Sequence, residues 1–169
     1  MGYDNNKTPS QNRFNGFKQQ GLMSHSYNKI WIHSVFATKD RYPLIKPAVE
    51  KQIHKHISEQ LIENGCPVRI INGMPDHIHL LFLQNPKISI TDIVKQVKGN
   101  TSHWVNEQNL VPEKFAWQTG YAAYSVSESQ LEKVFQYIRN QKQHHQKKTF
   151  LQEYDEFIEL HGLQRENDN

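Results

Sequence analysis

Apolar positions recur along this chain in two alternating periods, and the order in which they alternate predicts a fold. Asn28 to Thr38, NKIWIHSVFAT, is rich in β-branched and aromatic residues and apolar on both faces, which predicts a buried strand. Val49, Ile53, Ile57, Leu61 and Ile62 then follow a helical spacing over Ala48 to Asn64, and Gly65 stands where a helix would stop. Pro67 to Asn72 predicts a second strand, Gly73 to Asp76 a turn, and His77 to Leu83 a third strand paired with it as a hairpin. Ser89 with Asp92 predicts a helix start, and Ile90, Ile93, Val94, Val97, Thr101 and Trp104 form its inner stripe. Phe115 to Val126 predicts a fourth strand with an irregular start at Gly120. Ser127 with Gln130 predicts a capping box opening a long helix to about His145, and Thr149 with Gln152 another for a final helix ending near Gly162.

The order β, α, β, β, α, β, then helices, predicts an α+β domain of ferredoxin-like or RRM-like type. That is a four-stranded antiparallel sheet with helices on one face, plus C-terminal helices. Residues 1 to about 22 are polar and lack a period, so a flexible leader is expected there, with one domain over 23–169.

Composition narrows the setting. Mean hydropathy is −0.79, no run is apolar enough for a membrane span, and no secretory signal pattern is present. A cytoplasmic protein without a membrane partner is expected. The lone cysteine, Cys66, excludes an internal disulfide and a thiolate zinc cluster. A net charge of +3 permits a polyanionic partner without demanding one.

The chemistry concentrates in two places. His77 and His79 are separated by one residue at the head of an apolar strand, so both point to one face, roughly 7 Å apart along it. Two imidazoles so placed can converge on one divalent cation. The plain reading is two polar residues where a strand leaves a turn. A histidine-triad enzyme would want a third histidine at 81, where Leu81 stands. The second place is Val134 to His145, VFQYIRNQKQHH. Tyr137 falls off the stripe of Leu131, Val134, Phe135 and Ile138 and shares its face with Lys133, Gln141 and His144. The plain reading is a surface tyrosine on an amphipathic helix. The alternative is a nucleophile beside an ion held by two imidazoles and an amide, a donor set that suits Mg²⁺ or Mn²⁺.

MPDHIHLLF, WQTGYAAYSVS and YIRNQKQHH, in this order and spacing, resemble the single-tyrosine HUH transposases of small bacterial insertion sequences and their REP-associated relatives, from about Tyr27 to Gly162. The resemblance implies metal ligands at His77, His79 and Gln141, a Mg²⁺ or Mn²⁺ cofactor, and Tyr137 as nucleophile. It implies nicking and rejoining of single-stranded DNA at imperfect-palindrome hairpins through a 5′-phosphotyrosine intermediate, in a bacterial cytoplasm, by a homodimer that can share active sites. Gln141 leans towards the insertion-sequence branch, since REP-associated members tend to carry Asn there. Lys95, Lys98, Arg69, Lys39 and Arg41 are candidate DNA contacts, and Trp117 or Tyr121 candidate stacking partners for an unpaired base. His144 and His145 are expected to act as helix C-terminal cations. Three competing readings stay open: a non-enzymatic single-stranded DNA or RNA binder on the same sheet, a metal-dependent hydrolase, and a domesticated REP-associated nuclease or decayed copy.

Overall fold

The computed structural model describes residues 28–144 and 159–162. The expected leader, the helix start at Thr149 and the site at His145 lie outside the described residues.

Four strands, β1 (Trp31–Ala37), β2 (Val68–Met74), β3 (His77–Leu83) and β4 (Ala122–Val126), form one antiparallel sheet in the order β2-β3-β1-β4. Helices α1 (Pro47–Glu63) and α2 (Ile90–Glu107) cover one face. There Ile53, Ile57 and Leu61 of α1 and Ile93, Val94, Val97 and Val105 of α2 meet Ile32, Phe36, Ile78, Leu80 and Phe82 of β1 and β3. Helix α3 (Leu131–Arg139) lies on the opposite face, where Val134 and Ile138 pack with Leu81 and Val126. The α+β architecture is the expected one. The C-terminal helix, however, covers part of the face that a purely ferredoxin-like sheet would leave open.

Several boundaries move for physical reasons. The β2–β3 turn is shorter than the sequence suggests, because Gly73 and Met74 stay in the ladder and only Pro75 and Asp76 reverse the chain. Gly73 permits this: a Cβ there would run into the His77 carbonyl oxygen and lie 2.8 Å from the Ile78 Cα. β4 begins at Ala122 rather than Phe115. The preceding segment peels off to bridge Trp117 to Thr38, and the Lys98 ammonium holds the carbonyls of Gln118 at 2.8 Å and Gly120 at 2.6 Å. Ser89 does cap α2, accepting from the Asp92 N–H at 3.1 Å. Ser127 makes no capping bond: its hydroxyl pairs with that of Ser129, and a 3-10 turn over Glu128–Gln130 precedes α3. The predicted long helix breaks at Asn140, which separates α3 from α4 (Gln141–His144). The Asn72 amide claims the carbonyls of Ile138 (2.8 Å) and Arg139 (3.0 Å), which an unbroken helix would use four residues on. No helix among the described residues is long and apolar enough to cross a membrane.

Candidate functional site

The register places the polar residues together. His77 and His79 of β3, His33 of β1, Asn72 of β2 and Tyr124 of β4 alternate onto the α3 face, with Asn72 opposite His79 and Tyr124 opposite His33. His77 and His79 have ring centroids 5.2 Å apart, and both are buried. Burying imidazoles is costly unless their nitrogens are engaged, and each has a partner. The Nδ1 of His77 lies 2.7 Å from the Asp76 carboxylate, whose other oxygen takes Arg41 at 2.8 Å. Burial raises the Asp76 pKa, but the hydrogen bond to His77 and the charges of His77 and Arg41 outweigh it and hold the carboxyl below its usual range. Asp40 and Arg41 occupy left-handed backbone with φ of 55° and 53°, strain of about 1–3 kcal/mol each, which Thr38 opposes by bonding Tyr42 and Asp76.

The Nδ1 of His79 meets Nε2 of His33 at 2.9 Å, and Nδ1 of His33 meets Nε2 of His161 at 2.8 Å. His161 stacks on Tyr124 with centroids 4.4 Å apart. Burial, reinforced by His161, lowers the His33 pKa to about 3, and burial lowers that of His161 to about 4. Both are therefore neutral near pH 7.

Tyr137 leaves the helix stripe as its spacing predicts and points at this cluster. Its ring stands edge-on to His79 at 5.7 Å and to His33 at 6.2 Å, within the same chain. Two features fix the helix there. Apolar packing with Leu81, Val126, Ile70 and Trp31 carries most of it, and the Asn72 amide pins its C-terminal carbonyls directly beside His79. Two residues past that anchor, Gln141 is buried at the start of α4. The next residue, Lys142, pairs with Glu50 of α1. No three His, Cys, Asp or Glu side chains among the described residues form a metal-ligand group. Gln141, buried where α4 begins, carries an amide oxygen as a candidate donor of another kind. Two imidazoles whose Nδ1 atoms are engaged by neighbours, with an amide oxygen, fit Mg²⁺ or Mn²⁺.

The candidate DNA contacts do not gather in one patch. Lys39 and Arg41 lie at the His77 end of the sheet, with Arg41 3.4 Å from the His77 ring. Arg69 faces Glu132 at 3.6 Å and lies over the Phe135 ring, so it joins β2 to α3. Lys95 and Lys98 sit on α2, across the sheet, and Lys98 is committed to loop carbonyls. Trp117, partly buried, packs edge-on against Phe36 and Phe115 at the border of the core, whereas Tyr121 is exposed and bonds Thr91. The sequence reading had not singled out His33, Asp76, Asn72 or His161. The available signal was His33 itself, an imidazole inside a strand otherwise apolar on both faces.

The sheet, its helices and the polar cluster on one face form an α+β domain, and the comparisons give its family. The chain belongs to the IS200-like transposases, whose family model matches residues 26–141; DNA strand transfer is the general activity of that family. It is 27% identical over 114 residues to the ISDra2 transposase TnpA of Deinococcus radiodurans, covering 64% of this chain and 81% of that protein. A crystal structure described as a candidate transposase of D. radiodurans R1 superposes with TM-score 0.56 at 26% identity, over 69% of this chain and 93% of the other. A REP-associated tyrosine transposase bound to a REP hairpin is more distant, with TM-score 0.49 at 11% identity over 69% and 67% of the two chains.

Proposed function

We propose that this protein nicks and rejoins single-stranded DNA at hairpin-bearing element ends in the cytoplasm, with Tyr137 as nucleophile and His77, His79 and Gln141 as ligands for Mg²⁺ or Mn²⁺. The observation that carries the reading is the Tyr137 ring set edge-on to His79 at 5.7 Å, on a helix anchored beside that histidine. The phenol oxygen bonds to the phosphorus, the bond from phosphorus to the 3′ oxygen breaks, the phenol proton is lost and the departing 3′ oxygen gains one. The DNA 5′ end is left on Tyr137, and a second 3′-OH reverses the same exchange, so no nucleotide triphosphate is consumed. A bound divalent ion supplies Lewis-acid polarisation of the phosphoryl oxygen. His77 and His79 are oriented for this by Asp76 and His33, and α3 holds the phenol at the cluster. Lys39 and Arg41, at the His77 end, are the cations best placed to meet the flanking phosphates. Arg69 and Lys98 contribute through the architecture they brace, and Lys95 contributes only charge from across the sheet. The active species is a homodimer that can share active sites, and within one chain Tyr137 already stands beside His79.

A labelled single-stranded end incubated with the protein and Mn²⁺ is expected to yield a covalent protein–DNA species. That species should vanish in Tyr137→Phe and with EDTA, while hairpin binding persists; duplex DNA should fail as substrate. Loss of hairpin binding in Tyr137→Phe would support the binder instead, and multiple-turnover cleavage without any adduct would support the hydrolase.

A further inference from the structure

Three imidazoles form a line on the α3 face: His79 Nδ1 to His33 Nε2 at 2.9 Å, then His33 Nδ1 to His161 Nε2 at 2.8 Å. A hydrogen bond between two ring nitrogens needs one protonated and one bare nitrogen, and a neutral imidazole carries a single N–H. The line therefore has only two self-consistent settings. In one, His79 donates from Nδ1, His33 accepts at Nε2 and donates onward from Nδ1 to His161. In the other, every proton moves to the opposite nitrogen, and His79 carries its proton on Nε2. His77 is fixed separately: its Nδ1 lies 2.7 Å from the Asp76 carboxylate, an obligatory acceptor and much closer than Arg41 at 3.4 Å, so its proton is on Nδ1. The first setting gives His79 the same tautomer as His77.

We propose that His33 is a positioning residue: it accepts from the Nδ1–H of His79, fixes that ring's tautomer and rotation so that Nε2 is the nitrogen presented for coordination, and draws its own orientation from His161. This rests on the metal-site reading above. His33 is fully buried in the middle of β1, diagonal to His79 across the ladder, so its ring cannot turn without leaving the sheet's packing. His161 is far away in sequence and rests on Tyr124, which itself pairs with His33 in the register. Residues 159–162 thus bear on His79 through one intervening side chain. A partner of this kind fixes both tautomer and ring direction, and its loss typically costs about 10- to 100-fold in metal affinity.

The test uses the full chain with ¹⁵N-labelled histidine. Long-range ¹H–¹⁵N correlations in metal-free wild type should show His79 protonated at Nδ1 and bare at Nε2. Mn²⁺ affinity, read from the free-ion EPR signal, should fall about 10- to 100-fold in His33→Phe. In His33→Gln, whose amide oxygen accepts the same proton, it should recover most of that loss, and in His161→Phe it should fall less than in His33→Phe. A His79 proton on Nε2 in the wild type would overturn the proposal. So would unchanged Mn²⁺ affinity in a folded His33→Phe, or a His33→Gln no better than it. Should His33→Phe fail to fold, the wild-type spectrum and His33→Gln still decide. A wild type that binds no Mn²⁺ would sink the metal-site reading instead, and the tautomer measurement would then judge His33 on its own.

Discussion

Replacing Asn72 with alanine removes a two-bond polar clasp between β2 and the end of the tyrosine helix. The amide donates both its protons, to the carbonyls of Ile138 at 2.8 Å and Arg139 at 3.0 Å. Each bond is worth a net of about 0.5–1.5 kcal/mol, so the pair contributes about 1–3 kcal/mol to holding the helix end down. The bond to Arg139 lies at the surface, where water can replace it, which favours the lower part of that range, about 1–2 kcal/mol. The apolar contacts of Val134 and Ile138 with Leu81 and Val126 remain, so the helix stays docked in most molecules. Tyr137 lies one residue before the clasped carbonyls. If adduct formation requires the clasped geometry, the rate should drop roughly 5- to 30-fold, since about 1.4 kcal/mol corresponds to a factor of ten. Hydrogen exchange of the α3 amides should quicken by a similar factor. Asn72→Asp should be at least as damaging, because a carboxylate would then face two carbonyl oxygens. The two readouts, single-turnover adduct formation and exchange in α3, must move together. Faster exchange with an unchanged adduct rate would refute the claim that the clasp prepares Tyr137 for attack.

Other expectations follow from the same coordinates. Gly73→Ala should destabilise the domain by about 3 kcal/mol or more in urea unfolding, because the added methyl meets backbone of His77 and Ile78 that cannot yield without breaking the hairpin; a change below 1 kcal/mol would contradict the tight turn. Stability should fall on acidification from pH 7.5 to 5 in metal-free buffer. His33, lowered to about 3 by burial and His161, and His161, lowered to about 4 by burial, stay neutral in the fold while the unfolded chain takes up protons through its ordinary histidine range near 6.5; His54, lowered chiefly by burial, adds in the same direction. A flat urea midpoint across that window would be inconsistent with this. Mixing Tyr137→Phe with His79→Ala protomers should give no DNA adduct if the same-chain placement of Tyr137, 5.7 Å from His79, is the working one; recovered adduct would place the working tyrosine on a partner.

Element types were legible in the sequence because each had a clean period, and the Ser89 cap was a local signal that the fold used. Three features were not legible, because each depends on a partner distant in sequence. The helix break falls at Asn140, a residue type suited to a helix end, but the Asn72 amide that takes the preceding carbonyls lies 68 positions earlier. The late start of β4 comes from Lys98 and Thr38 drawing residues 117–120 aside. Trp117, which looks like a surface stacking ring in sequence, packs edge-on against two phenylalanines. The site divides in the same way. His77, His79 and Tyr137 could be found by spacing, since strand alternation and helix periodicity decide which way each points. Asp76 and His161 could not, because what marks them is the nitrogen each one engages, and His33 showed only as an imidazole in a largely apolar strand, its partners unseen.

That division explains why the chemistry sits where it does. A cation site built from two strand residues needs rings that do not rotate, and a strand alone leaves an imidazole free to turn about its side-chain bonds. The chain engages each Nδ1 differently: a carboxylate in the hairpin turn for His77, a neighbouring-strand imidazole for His79. The carboxylate adds negative charge at His77, which raises the basicity of the opposite nitrogen, and Arg41 tempers that charge at 2.8 Å. His33 adds no charge at His79, the ring that Tyr137 approaches. A carboxylate at position 33 would fix the same tautomer but, under the proposed mechanism, would set a second anion near the incoming phosphodiester, at an energetic cost that grows as water is excluded. A buried neutral imidazole orients its neighbour without repelling the substrate, so His33→Asp, even if folded and metal-bound, should weaken single-stranded DNA binding more than His33→Gln does.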